Sequence, residues 1–146
     1  MNRCGAVALL LLLAGCGVGE PTGPGEVGVT VGPQDLSVRP VQYCLDGEGQ
    51  RYDNTPPILE VSPDATITLT VPEDVAAHGW SVQVFDETLE ERLGTVDVDE
   101  GTTVLDEINT SDVVPPAFYL VIVEDKGGDC GEFSGAWPVG FLRAGG

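Results

Sequence analysis

The chain has 146 residues, with 24 Asp and Glu against 6 Lys and Arg, for a formal net charge of −18. Such a field repels phosphate, which excludes nucleic acid as a partner, and it repels anionic lipid headgroups as well. The length suits one domain with a core of its own, able to fold without a structural metal.

The N-terminus reads MNRCGAVALLLLLAGCGVGEP. Its apolar run, Ala6 to Ala14, is less than half the roughly 20 residues that a membrane-spanning helix needs. One positive side chain, Arg3, precedes the run and small residues follow it. This is the layout of a secretory signal. Leu13-Ala14-Gly15-Cys16 resembles the lipobox of bacterial lipoproteins. The resemblance implies cleavage before Cys16 and a diacylglyceryl group on its sulfur. Each buried CH₂ contributes about 0.8 kcal/mol, and two acyl chains anchor stably where one is marginal. The expectation is therefore a lipoprotein signal peptide at residues 1–15 and lipidation at Cys16. The anchor would hold the protein on the extracytoplasmic face of the cell envelope, with plain secretion as the alternative. Arg3 leaves with the signal, so the remainder is one unit more negative. Its cations are Arg39, Arg51, Arg92, Lys126 and Arg143. The acidity reads first as solubility. The sharper readings are cation binding or a basic protein partner.

The four cysteines then resolve. Cys4 leaves with the signal and Cys16 carries lipid. Cys44 and Cys130 remain in an oxidising compartment and are expected to form a disulfide. Closing that loop is worth up to about 4.6 kcal/mol by chain entropy. A two-cysteine metal site is the other reading, and it lacks further ligands, with His78 as the single histidine.

Residues 16–26 read as a linker after the anchor, rich in Gly and Pro, with a coil span of about 17 Å. Within it begins GPGEVG, Gly23 to Gly28, a literal G-x-G-x-x-G. No strand precedes it and no helix follows, so it does not read as a dinucleotide site.

From residue 27 to 146 the pattern has period two. Val27–Val31 and Leu36–Tyr43 are expected to form a hairpin across Gly32-Pro33-Gln34-Asp35. Ile58–Val61 is a short strand. In Ala65–Val71, Ile67, Leu69 and Val71 share one face and the threonines share the other. Pro72–Gly79 predicts one or two helical turns, with Pro at the start, acids in the first turn and Gly at the end. Trp80–Val84 alternates again. Leu93–Val98 and Thr102–Ile108 are weaker strands. Phe118–Val123, FYLVIV, is apolar on both faces and is placed centrally in a sheet. Ala136–Leu142 carries Pro138, which cannot donate to a ladder, and is placed at an edge or a bulge. These elements predict an all-β fold, an immunoglobulin-like antiparallel β-sandwich, after the signal peptide and linker. The disulfide should staple the loop of Cys44 to the loop before the last strand, at one end of the sandwich and not across its core.

Three runs carry a further resemblance: VRPVQYC (Val38 to Cys44), TLTVPEDVAAHGWSVQVFD (Thr68 to Asp86) and GAWPV (Gly135 to Val139). Together they resemble a family of actinobacterial lipoproteins of unknown function. Those proteins share a lipobox, a P-x-Q-Y-C segment and a V-P-E-x-V-A…W stretch before a strand. The resemblance implies an extracytoplasmic β-rich domain and no particular activity.

Catalytic signals are poor. There is no G-x-S-x-G, and the nearest run, Gly131 to Gly135, has the wrong spacing. His78 reads as a surface residue on the turn. H-E-x-x-H is absent. Acid pairs are so abundant that any one of them says little about glycosidase chemistry. Calcium is the most reasonable small ligand, since it takes carboxylate and carbonyl oxygens. Asp97 and Asp99 in one loop, and Asp125 and Asp129 in another, are its weak candidates, and each loop reads first as a solvated turn with no metal. Among aromatics, Trp80, Tyr119 and Trp137 are expected in the core, while Tyr52 and Phe85 are better placed for exposure. Asn109-Thr110-Ser111 matches a glycosylation sequon by chance. The expectation is a non-catalytic lipoprotein, without cofactor, that binds or scaffolds at the envelope surface. The alternatives are an accessory or inhibitory module for a basic partner, and an envelope enzyme using acidic residues.

Overall fold

The computed structural model describes residues 24–45, 47–125, 130 and 135–144. Eleven strands form two facing sheets. The first sheet contains β1 (Val27–Val31), β2 (Gln34–Val38), β6 (Thr66–Thr70) and β9 (Val104–Asn109), in the order β2-β1-β6-β9. The second contains β3 (Gln42–Leu45), β4 (Glu48–Arg51), β7 (Trp80–Asp86), β8 (Arg92–Val98), β10 (Ala117–Glu124) and β11 (Gly135–Arg143), in the order β4-β3-β11-β10-β7-β8. The short β5 (Ile58–Val61) pairs with β11 and makes the one parallel ladder among the described residues. A single helix, α1 (Glu73–His78), crosses from β6 in one sheet to β7 in the other. From β6 to β11, the chain visits the two sheets in the order of strands B, C, C′, E, F and G of an immunoglobulin-type sandwich. No described helix is long and apolar enough to cross a membrane.

The period-two reading gives the core. Ile67, Leu69 and Val71 are buried, and Thr66 and Thr70 are exposed. Trp80 and Val82 of β7 face Phe118, Leu120 and Ile122 of β10 within one apolar cluster that draws on both sheets. Both tryptophans are fully buried, and both have their indole N–H satisfied: Trp80 donates to the Thr102 carbonyl (2.7 Å) and Trp137 to the Gly25 carbonyl (3.0 Å). Phe118 and Phe141 stack with centroids 5.3 Å apart across the β10–β11 ladder. The helix begins after Pro72 and ends at Gly79, whose φ of 92° favours glycine.

Three expectations about strands are corrected. The β1–β2 turn is tighter than expected, with Val31 opposite Gln34, and β2 ends at Val38 before Pro40. Gln42 and Tyr43 therefore belong to a separate hairpin, β3–β4, whose second strand is the unpredicted Glu48–Arg51. The last strand is not an edge: β11 lies between β10 on one side and β3 and β5 on the other. Pro138 is tolerated because those two partners leave a gap. β3 pairs at Gly135 and Ala136, and β5 pairs from Gly140 to Arg143. The Ala136 carbonyl and the Gly140 N–H both point to that side, so the N of Pro138 does too, between the two partners. Gly140 is required where β11 meets its two neighbours, since a Cβ there would lie 2.9 Å from the Tyr119 ring of β10 and 3.0 Å from Ile58 of β5.

Cys44 and Cys130 are bonded, with Cα atoms 5.7 Å apart. Cys44 sits on β3 itself and not in a loop. The bond therefore ties the outer β3–β4 hairpin to the β10–β11 connection. Reduction, or Cys44→Ala with Cys130→Ala, is expected to lower the unfolding free energy by up to about 4.6 kcal/mol. Urea denaturation of oxidised and reduced protein measures this loss, and an unchanged midpoint contradicts it.

Candidate functional site

Two places on the fold break the rules that the rest of the structure obeys. The first is a buried carboxylate. On β10, Phe118, Leu120 and Ile122 point into the core, and Glu124 is next in phase. Its residue exposure is 1%. His78, from the last turn of α1, places Nδ1 2.5 Å from Glu124 Oε1, while its own ring is half exposed. Glu124 Oε2 is buried with no hydrogen-bond partner among the described residues. Desolvation raises the Glu124 pKa above the ordinary carboxylate value. The His78 contact opposes that rise and the charge of Asp74 adds to it.

The same charges reach Tyr43 on β3. Burial first, then Glu124 and Asp74, push its hydroxyl pKa up to about 12. Tyr43 also meets Trp137 edge to face, with centroids 6.1 Å apart. Beside them the Ser81 hydroxyl donates to Asp125 Oδ1 (3.3 Å), and the Asp125 N–H donates to the Gly79 carbonyl (2.9 Å). His78 is exposed on the last turn of α1, as expected, and adds a contact to Glu124 that was not expected. His78 closes one end of the sandwich over Glu124. Sequence reasoning missed Glu124 because an acid at a strand end reads as the start of a turn. Its even spacing from Ile122 was the available signal.

The second place is a cleft of about 490 Å³ on the open side of the sandwich. The edge strands β8 and β9 flank it, and the segment after a 3-10 turn at Thr110–Asp112 walls it. Leu93, Val96, Ile108, Val113 and Val114 make it apolar, and Glu107 and Asp112 add two carboxylates. Each flanking strand carries a bulge. One displaces Leu93 from the β7–β8 register, and the other falls at Asp106–Glu107 in the β6–β9 register. Bulges re-aim side chains, here toward the cleft.

The wall of the cleft is built by specific bonds. Asn109 Oδ1 accepts from the Ser111 N–H (2.9 Å) and hydroxyl (2.8 Å), and Asp112 accepts from the Asn109 N–H (2.8 Å). The apparent sequon is therefore a cap. Arg143 donates to the carbonyls of Thr110 (3.0 Å), Val113 (2.6 Å) and Val114 (2.8 Å).

The remaining candidates do not gather. Asp97 lies on β8 and Asp99 follows it, Asp125 serves Ser81, and Asp129 lies outside the described residues. No group of three or more His, Cys, Asp or Glu among the described residues is placed to hold a metal ion. Cys16 and the signal segment also lie outside the described residues. Trp80 and Trp137 are core, whereas Tyr119, expected there, is half buried. Tyr52 and Phe85 are half buried as well and not exposed as expected.

Fold and site together define an all-β sandwich with a buried carboxyl met by a half-exposed imidazole, and one open apolar cleft. The chain belongs to a family described as a protein of unknown function, DUF2771, which matches it over residues 20–126. Comparisons with curated proteins and with solved structures gave no match.

Two substitutions test these placements. The raised pKa of Glu124 means that its favourable contribution is complete below the ordinary value of 4.5 and is lost as pH rises through the folded-state value. Glu124→Gln should therefore stabilise the protein near neutral pH, because a neutral amide removes the desolvation cost of the buried charge. The gain should vanish below pH 4.5. Melting curves from acid to neutral pH read it, and a loss of stability at neutral pH would count against it. Arg143→Ala should cost about 1.5–3 kcal/mol, the usual range for hydrogen bonds from a charged donor. Amide exchange should then quicken at Val113 and Val114, and unchanged exchange there would contradict the clamp.

Proposed function

We propose that the protein is a lipid-anchored binding module on the extracytoplasmic face of the bacterial envelope, and that it performs no chemistry itself. The observation that carries this reading is the cleft. Its volume falls within the roughly 300–1,000 Å³ of ligand sites, and its lining is largely apolar with two acids for orientation. The cleft shares no lining residue with the buried Glu124–His78 contact. The one described carboxylate with a raised pKa is therefore not placed to act on a molecule in the cleft. That separation favours binding over an enzyme built on acidic residues.

The address rests on the lipobox-like Leu13 to Cys16. With Cys16 lipidated, the Gly- and Pro-rich segment before β1 would tether the sandwich near the membrane, and its negative charge would keep the body off anionic headgroups. A ligand presented at the membrane surface, or a neighbouring envelope protein, then meets the open side.

Fatty-acid labelling in cells tests the anchor. Wild type should carry label and fractionate with membranes, and Cys16→Ala should do neither. Unlabelled wild type in the soluble fraction overturns the anchored reading. In-cell crosslinking tests the binding role. A partner captured by wild type and lost on Val114→Asp, at equal protein level, supports the cleft. Capture indifferent to Val114→Asp argues against it.

A further inference from the structure

Resting on the binding role proposed for the cleft, we propose its occupant: an extended segment of a partner protein, alternating apolar and basic residues, added as a strand along the free edge of β8. Four observations point this way.

The first is the edge itself. β8 is the last strand of its sheet, and no described strand pairs with its outer side. Its residues from Arg92 to Thr95 are all exposed. A row of unpaired N–H and C=O groups is a template for strand addition. An acyl chain in the same cleft would leave those groups without partners.

The second is the choice between the two edges. β9 is bulged at Asp106–Glu107, in the middle of its ladder. The bulge in β8 is confined to Leu93, and Gly94 to Val98 keep a regular register with β7. An added strand therefore has an uninterrupted edge on β8.

The third is alternation. Gly94, Val96 and Val98 lie opposite Val84, Val82 and Trp80, so this face of β8 is the inner one. An added strand must place every second side chain on that face, above the cleft. There it would meet Ile108, Val113 and the 89%-exposed Val114. These positions call for apolar residues.

The fourth is charge. The chain carries −18 in all, and Asp97 is exposed on the face of β8 opposite Val96 and Val98, where the alternate residues of the added strand would lie. A second copy of this chain would bring the same negative field to the edge, and an anionic lipid headgroup would meet the same repulsion. A segment with Lys or Arg at alternate positions is attracted.

The test uses the full chain carrying Cys16→Ser, oxidised, titrated with three probes. They are a peptide alternating Val and Lys, its counterpart alternating Val and Glu, and dodecylphosphocholine below its micelle concentration. The Val-Lys peptide should bind, with affinity falling steeply as salt is raised. Leu93→Asp and Val114→Asp should each weaken it by about tenfold or more, since each sets a carboxylate against apolar side chains. Both positions are surface-exposed in the free protein, so circular dichroism should show an unchanged fold. On binding, amide exchange should slow at those residues of Gly94 to Val98 whose N–H points away from β7, every second one along the strand, and stay unchanged on β9. Equal binding of the Val-Glu peptide overturns the proposal, as does protection confined to β9. Salt-independent displacement of the peptide by dodecylphosphocholine assigns the cleft to acyl chains and overturns it too. Because the chain tested is unanchored, failure here leaves the anchoring result standing, and failure of anchoring leaves this binding result standing.

Discussion

The β10 ladder is the constraint from which the rest of the structure follows. β10 is hydrogen-bonded along its length on both sides, to β11 from Ala117 to Glu124 and to β7 from Phe118 to Glu124. Its inner face carries Phe118, Leu120 and Ile122, all fully or nearly fully buried. Shifting such a strand by one residue would exchange its faces, so its register is fixed by burial. Fixing β10 fixes the neighbours that carry Trp80 and Trp137. It also fixes the position of Glu124, the next residue in phase, whose carboxylate is drawn inward by the ladder it belongs to.

A carboxylate taken in this way must be met by something. α1 meets it on one side with His78, and Tyr43 and Asp74 crowd the same end with a hydroxyl and a further negative charge. Half of the carboxylate is thereby satisfied, while Oε2 is left without a described partner. An apolar residue here would fit the local pattern better than an acid. Departures of this kind concentrate where a fold serves something other than its own stability. The elements involved, α1, β3 and β10, are separate from the strands β8 and β9 that flank the cleft. Titration at one place and occupancy at the other therefore act on different parts of the sandwich.

Much of this was legible in the sequence because strands buried on one face or on both leave a simple imprint. The alternation of Ile67, Leu69 and Val71 and the double-sided apolar run of FYLVIV placed β6 and β10 correctly, and Pro72 and Gly79 bracketed α1. What failed was what depends on partners. Pro138 correctly announces a missing donor, yet whether that donor is missed depends on two short strands that stop on either side of it. The β4 sequence, EGQR, has no apolar alternation at all, and it becomes a strand because β3 offers it an edge next to the disulfide. The cleft was invisible for the same reason. Leu93 lies far from Val113 and Val114 in the chain, and two bulges and the carbonyl clamp of Arg143 bring them together.

An open β-edge is normally a liability, and proteins blunt it with Lys, Pro or a bulge. β8 has neither Lys nor Pro, and its bulge touches only the Leu93 end. The protection of the remaining edge must come from elsewhere, and the net charge supplies it. Two copies approaching edge to edge bring together two surfaces of −18, so self-pairing is opposed at long range before any hydrogen bond forms. Repulsion of like chains does not close the edge to others. It makes the edge selective by sign: a strand carrying positive charge is drawn to the surface that turns away a second copy. Acidity and an unblunted edge together describe a surface that turns away a second copy of itself, and under the proposal above that same surface stays open to a basic strand.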